Sequence, residues 1–366
     1  MVIISCNDHI LFEIFSWLPP KSLIKFKLLS KHWFSLLSSD YFHQKHILNE
    51  GRRSKTEPCS LLLRLLGKPD YFYLHLDASL EKSSLVPYRF SPFLLEPIVS
   101  SFANGLFLLH CAEIKNDHIQ ECFVYNPTTK QSRSISLKAD EDSYKPVIGL
   151  NLAFNPLNSA HYKIICVRLV RWAPSCSMGS LWRLCRVEVY ESNDCSWKIC
   201  DEPFWAPTDM DFNRGVYVNG CIHWQEMFFH IDGGFVGKHP EIEVPSGIGT
   251  QFFNREYVES CGYLHCVAHF LCKNEVMVFE LARDFTKWSL KCSFELGGVS
   301  GQLSVLGVVN GVLVFHEPGK IVVACGFRGE VKKVLVDFRD EEIYEEGRVQ
   351  FVSNDAVEFV ESLARV

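Results

Sequence analysis

The sequence predicts a multidomain chain in two unequal parts: a small helical segment over residues 1–50 and a large all-β domain of propeller type over 51–366. Three observations predict it. Apolar residues between Asp8 and about Asn49 recur at helical spacing, whereas beyond residue 55 they fall in short β-rich runs such as YKIICVRLV, CRVEVYE and VMVFEL. A polar, glycine-bearing stretch, Gly51-Arg52-Arg53-Ser54-Lys55, separates the two textures. A turn glycine followed by strand residues recurs at Asn104-Gly105, Asn219-Gly220, Cys261-Gly262 and Asn310-Gly311. The last three glycines are 42 and 49 residues apart, the length of a four-stranded blade, so the β domain divides into about six or seven blades. A large β-sandwich is the alternative.

In the helical part, Leu11, Ile14, Phe15 and Leu18 form a stripe at i, i+3, i+4 and i+7, with Asn7 or Asp8 able to cap its start. Pro19-Pro20 ends that helix, and Pro20 suits the first turn of the next, which carries Leu23, Phe26 and Leu29. Ser30 caps a third helix bearing Trp33, Phe34 and Leu37, and Asp40 a fourth from Tyr41 to Leu48. Four helices in about 40 residues make a core too small to be robust alone, so the bundle calls for a partner or a neighbouring domain. In the β part, Arg186 to Glu191 alternates strictly, and Asn126-Pro127, Asn155-Pro156, Trp197 and Trp288 punctuate the strands.

Composition narrows function. With 47% hydrophobic and 13% aromatic residues the chain is not a disordered scaffold. A net charge of −6 argues against a nucleic-acid binder. No run is apolar enough to cross a membrane as a helix. The fifteen cysteines read as reduced thiols. Asp8, His9 and Glu13 interrupt the N-terminal apolar stretch, and no Asn-x-Ser/Thr acceptor lacks an intervening proline, so the expected location is the cytosol or nucleus.

Catalytic and metal motifs fare poorly. If Tyr263 to Cys272 is a strand, His265 and His269 share one face about 13 Å apart, with Cys266 and Cys272 on the other, so a single tetrahedral metal cannot collect them. Cys195 and Cys200 are too loosely spaced for a zinc knuckle, and His223-Trp224 reads as part of a strand. The acidic run Asp337 to Glu346 reads as a solvated loop. Neither a cofactor nor a metal is expected.

The N-terminal segment NDHILFEIFSWLPPKSLIKFKLLSKHWFSLLSSDYF resembles an F-box, and specifically that of plant F-box proteins with an F-box-associated domain. Phe12-Glu13-Ile14, Leu18-Pro19-Pro20-Lys21-Ser22-Leu23, Ser30-Lys31-His32-Trp33 and Ser39-Asp40-Tyr41-Phe42 fit in order without a gap. Further on, Ser101 to Leu106, Val124-Tyr125-Asn126-Pro127-Thr128-Thr129, Phe154-Asn155-Pro156, Gly215 to Gly220 with His223-Trp224, and Phe359 to Leu363 resemble the associated domain. One departure is Cys6-Asn7, where the family usually opens with Leu-Pro.

The resemblance implies a non-catalytic substrate receptor. It docks on a Skp-type adaptor, and through that on cullin and RING subunits of a ubiquitin ligase, while the β domain binds a target protein. It also implies that Ile10, Leu11, Ile14, Leu18, Pro19, Leu23, Phe26 and Trp33 form or support the adaptor interface. Candidate target-binding residues lie in aromatic loop stretches: Trp172, Trp205 and Phe212, where a role in closing blade cores competes for the two tryptophans. An F-box protein of a non-degradative complex and a propeller enzyme are the competing readings; the enzyme would need a convergent metal constellation that the sequence lacks.

Overall fold

The structure, a computed structural model, describes residues 6–53, 60–64, 71–75, 85–90, 97–110, 121–137, 145–172, 182–244, 254–270, 275–295, 304–309, 312–317, 320–324, 333–337, 357–359 and 362–366. Ala173-Pro174, Cys272, Asn310-Gly311 and the acidic run after Asp337 lie outside them.

Four helices come first: α1 (Cys6–Phe15), α2 (Pro20–Phe26), α3 (Lys31–Leu37) and α4 (Asp40–Arg53). Pro20 opens α2, where its missing N–H costs nothing. Ser30 caps α3 by accepting from the Trp33 N–H at 3.2 Å. Three local expectations are corrected. The cap of α4 is Ser39 rather than Asp40: its hydroxyl accepts from the Phe42 N–H at 3.2 Å. Asn7 and Asp8 sit inside the first turn of α1, where the Asp8 carboxylate opposes the helix dipole. And α4 runs on through Gly51 to Arg53, so the expected break begins later.

The core of the bundle joins Phe12, Phe15, Leu23, Leu36, Leu37 and Phe42. Phe15 stacks on Phe26 at 5.0 Å and meets the Trp33 ring edge-on at 5.0 Å. The inward stripe of α1 is therefore Phe12 and Phe15, flanked by Leu11, while Ile14 faces out.

The β domain forms six sheets among the described residues. The first has β1 (Ser60–Arg64), β2 (Tyr71–His75) and β3 (Leu85–Tyr88); the second β4 (Ile98–Ala103), β5 (Leu106–His110), β6 (Glu121–Asn126) and β7 (Gln131–Ser136). The third has β8 (Val147–Ala153), β9 (Lys163–Trp172), β10 (Trp182–Glu191), β11 (Ser196–Ile199) and β12 (Phe204–Pro207). The fourth has β13 (Val216–Val218), β14 (Cys221–Trp224), β15 (Met227–His230) and β16 (Phe235–Lys238). The fifth has β17 (Asn254–Ser260), β18 (Tyr263–Phe270), β19 (Glu275–Leu281) and β20 (Trp288–Glu295). The sixth has β21 (Ser304–Val309), β22 (Val312–Glu317), β23 (Lys320–Ala324) and β24 (Lys333–Asp337).

The last strand, β25 (Val357–Phe359), pairs antiparallel with β1 and supplies the edge of the first sheet. It occupies the position that β4, β8, β13, β17 and β21 hold in their own sheets, and successive strands of the series from β4 to β25 touch. The chain therefore closes a ring of sheets by pairing a strand from each end, so the first sheet is held by both ends of the β domain.

The recurring glycines mark the same turn in the second, fourth and fifth sheets. Asn104-Gly105 joins β4 to β5, Asn219-Gly220 joins β13 to β14, and Cys261-Gly262 joins β17 to β18. All six residues have positive φ (44 and 83°, 49 and 79°, 55 and 79°), the two-residue hairpin geometry whose twist matches the strands. The third sheet breaks the period because its β8–β9 connection, 154–162, is longer.

Trp197 and Trp288 repeat a second device. Each lies on the outer strand of its sheet and donates its indole N–H to a carbonyl of the preceding sheet's outer region: Ser136 at 3.0 Å and Pro240 at 3.1 Å.

The helices and the ring are joined by the last residues of the chain. Leu363 is buried in the helical core, and Ala364 is buried with Ile47 of α4 in the core between the second and third sheets. The Asn126 side-chain amide donates to the carbonyls of Ser362 (2.9 Å) and Ala364 (2.7 Å), while its oxygen accepts from the Thr128 and Thr129 N–H groups. Thr128 Oγ1 accepts from the Ser362 N–H. Arg365 donates to the Ser38 carbonyl at 2.6 Å and to His43 Nδ1 at 3.0 Å. Segment 362–365 is thus a strap bolting the helical bundle to the second sheet.

Candidate functional site

Two surfaces stand out. On α1 and the turn that continues it, Ile10 (60% exposed), Ile14 (51%) and Trp17 (48%) sit at i, i+4 and i+7, a single stripe opposite the buried Phe12 and Phe15. Leu28 (84%), Leu29 and Phe34 are exposed on the neighbouring helical segments. Exposed apolar side chains at this density in about 45 residues are what an incomplete core leaves for a partner to cover.

Of the residues expected at the adaptor interface, Ile10 and Ile14 are exposed, and Leu11, Leu18, Pro19, Phe26 and Trp33 are half-buried. Leu23 has no exposed surface: it belongs to the helical core and can act only by holding the others in place. Trp17, Leu28, Leu29 and Phe34 are exposed beside them and were not among the expected residues. Trp17 was legible, since it completes the i, i+4, i+7 stripe begun by Ile10 and Ile14.

The second surface is the outer end of the third sheet. Strands β9 and β10 span ten residues each. Along the outer edge of β10, β11 pairs with Glu188–Glu191 and β12 with Trp182–Cys185. The register sets Arg171 opposite Leu184 and Leu184 opposite Trp205, so these three share a face, with Trp182 two residues from Leu184 on the same side. The Arg171 guanidinium lies 5.7 Å from the Trp205 ring centroid. Trp172 and Trp205 are 59% and 41% exposed and sit in strands β9 and β12 rather than in loops. They do not close blade cores.

Phe212 is corrected. It lies in a 3-10 turn (Phe212–Arg214), wholly buried, edge-on to Trp224 at 5.1 Å and to Phe204 at 5.8 Å. The backbone of Gly149 comes so close that a Cβ there would stand 2.4 Å from the Phe212 Cβ. The Phe212 carbonyl accepts from Asn151 Nδ2 and Trp224 Nε1. This residue locks the third and fourth sheets together and offers nothing to a ligand.

The interior carries polar groups with internal partners. Glu188, 1% exposed, bonds Arg168 Nε and an Arg186 N–H, each at 2.7 Å, and Arg168 also donates to the carbonyls of Lys145 and Leu137. His223 Nδ1 and His239 Nε2 are 3.0 Å apart. Burial and the neighbouring His239 push His223 down to about 3, and burial lowers His239 to about 4. His265 and His269 are buried along β18 with Cys266 on the opposite side, as strand alternation requires. Among the described residues no group of three His, Cys, Asp or Glu could hold a metal ion. The described thiols Cys122, Cys166, Cys185 and Cys266 are buried, and burial raises each well above the usual thiol range.

Comparisons with known proteins agree with this geometry. Residues 3–45 match the F-box domain, and residues 80–230 match the F-box associated beta propeller domain. F-box protein At5g07610 of Arabidopsis thaliana is 32% identical over 316 residues, covering 80% of this chain and 71% of that protein. Putative F-box protein At5g50220 of the same plant is 30% identical, covering 86% of this chain and 77% of its own length. Putative F-box/kelch-repeat protein At1g12870 is 26% identical, over 59% of this chain and 52% of its own length. Such families are typically non-catalytic adaptor proteins, and an F-box implies binding to a Skp-type adaptor. This chain, a helical bundle with an exposed apolar stripe strapped to a closed ring of sheets, belongs to the F-box proteins with an F-box-associated β-propeller domain.

Proposed function

We propose that this chain is the substrate-recognition subunit of a Skp–cullin–F-box ubiquitin ligase, acting in the cytoplasm or nucleus. The observation that carries the reading is the exposed Ile10–Ile14–Trp17 stripe. A Skp-type adaptor covers it, with Leu11, Leu18 and Pro19 at its margin and Leu23 beneath. The helical part, assigned to residues 1–50, is the docking module. The part from 51 onward, which we read as a six-bladed ring, holds the target at its third-blade edge, through Trp205, Trp182 and Arg171 on one face and Trp172 on the other. Aromatic and arginine side chains are the usual anchors of such surfaces. No residue of this chain performs the transfer; the strap keeps the target at a set distance from the ligase, so the gain comes from effective concentration.

The test is capture of a purified Skp-type adaptor by the full chain. Ile14→Asp places a charge in the stripe and weakens capture by roughly 30-fold, about 2 kcal/mol, with the melting temperature unchanged. Trp205→Ala leaves adaptor capture intact and removes the ubiquitinated protein that accumulates on the intact receptor when the proteasome is inhibited. Equal adaptor capture by wild type and Ile14→Asp sinks the docking assignment.

A further inference from the structure

On the outward face of the third sheet, where β9, β10 and β12 meet, Arg171, Leu184 and Trp205 form one cross-strand row, and Trp182 and Pro207 form the next. The alternate residues Arg183, Cys185 and Ala206 are buried on the inner side. Trp182 is thus the diagonal neighbour of Trp205, about 7–8 Å away across the two strands. The two indoles make no ring contact with each other. Leu184 and Pro207 are half-buried and complete the surface around them. Each van der Waals contact takes about 3.5–4 Å, so the spacing suits one flat aliphatic ring touching both indoles.

The polar side chains of these five residues are all donors: indole and guanidinium groups carry N–H bonds and accept none. Elsewhere in the ring, Trp197, Trp224 and Trp288 give their indole N–H to the carbonyls of Ser136, Phe212 and Pro240. Trp182 and Trp205 give theirs to no described residue, and Arg171 has no ion pair among the described residues, its guanidinium resting 5.7 Å from the Trp205 ring centroid. A ligand that complements such a face carries acceptors and apolar rings and few donors. An ordinary peptide brings an N–H with every carbonyl, and a sugar brings hydroxyl donors, which no side chain here accepts. A cationic ligand meets Arg171. A proline run brings a carbonyl from every residue and an N–H from none, and in polyproline II its carbonyls have no internal partner. Addition of a strand at the edge is disfavoured, because β12 has four residues, Pro203 precedes it and Pro207 ends it, so its free edge lacks a ladder of N–H groups.

We infer that this face takes a proline-rich segment of the target protein in polyproline II conformation. Its rings pack between Trp182 and Trp205 over Leu184, and its carbonyls accept from the two indoles and from Arg171. The inference rests on the reading of the third-blade edge as the target surface and adds to it the class of segment bound.

Titration of the full chain into a fluorescein-labelled decaproline peptide, read by anisotropy, tests it, with a glycine-serine peptide of equal length for comparison. Saturable binding of decaproline is expected, and none of the glycine-serine peptide. Trp205→Ala and Trp182→Ala should each weaken it at least tenfold with the melting temperature unchanged. Leu290→Ser, at an exposed apolar position on the fifth sheet, should leave it as it is. In isotope-labelled protein the indole N–H resonances of Trp182 and Trp205, identified by their loss in those variants, should move on adding decaproline while those of Trp197, Trp224 and Trp288 stay. Absence of saturable decaproline binding overturns the inference, as does binding indifferent to both tryptophan variants or equal binding of the glycine-serine peptide. The receptor reading is judged separately. A ubiquitinated protein that accumulates on the intact receptor but not on Trp205→Ala, and that decaproline fails to displace, overturns the proline inference alone. Tryptophan-dependent decaproline binding with no accumulating target supports the proline face and counts against the receptor reading alone.

Discussion

In the helical segment Ile10, Ile14 and Trp17 stay exposed, whereas in the third sheet even Arg168 and Glu188 are buried with internal partners. Both regions come from one chain with ordinary hydrophobic content. Size separates them. About 45 residues of short helices enclose one small core, and the apolar side chains that do not fit remain outside. The third sheet has ten-residue strands with neighbours on both sides, so it buries two apolar clusters and can also carry a desolvated ion network. The small region is held from outside by the strap; the large one is closed on itself. An exposed apolar side chain thus signals binding in the first region, while a buried charge signals internal architecture in the second.

The largest effect should come from breaking that architecture. Arg168→Met leaves the Glu188 carboxylate with one arginine in a dry interior, and should cost roughly 3–5 kcal/mol of propeller stability, read by denaturant unfolding followed on tryptophan fluorescence. A loss below about 1 kcal/mol would mean that water reaches the pair and that the third sheet is not closed in the sense argued.

Next comes the strap. Leu363→Ala removes a buried side chain from the helical core and should cost about 2–4 kcal/mol. It should separate a low-temperature helical transition in circular dichroism from the main one. A single unsplit transition would show that the helices do not depend on the strap, and the contrast between the two regions would shrink.

The smallest effect is pH-dependent and belongs to the closed region. His223 and His239 stay neutral when folded because their values are lowered to about 3 and about 4 from the ordinary 6.5. The unfolded chain takes up these protons first, so the stabilisation is full above about pH 6.5 and is lost as pH falls towards 4. The denaturation midpoint should drop between pH 7 and 5, and His239→Phe should flatten that slope. An unchanged slope would place the acid sensitivity elsewhere.

Much of this was legible because it is local. Ser30 as a cap, Pro20 in a first turn and Asn-Gly at the inner hairpins follow from φ preferences and hydrogen bonds within a few residues. The Asp40 cap failed locally too, because Ser39 one residue earlier reaches the Phe42 N–H. Ile14 was visible as apolar but not as exposed. A helix periodicity shows two stripes here, Ile10–Ile14–Trp17 and Phe12–Phe15, and only packing says which one meets the neighbouring helices. Phe212 was misplaced because its surroundings come from Gly149, Asn151 and Trp224, on strands before and after it.

By itself, then, the sequence determined the two textures, the Ser30 cap, the Pro20 start of the second helix, the blade-length repeat and the family resemblance, all written within about 50 residues along the chain. The tertiary structure alone decided what joins them. Asn126 meets Ser362 and Ala364 across more than 230 positions, and Arg365 reaches Ser38 across 327. No local preference encodes such pairings: closing the ring through β25 and β1 brings the chain's end back to its beginning, and the strap follows from that closure.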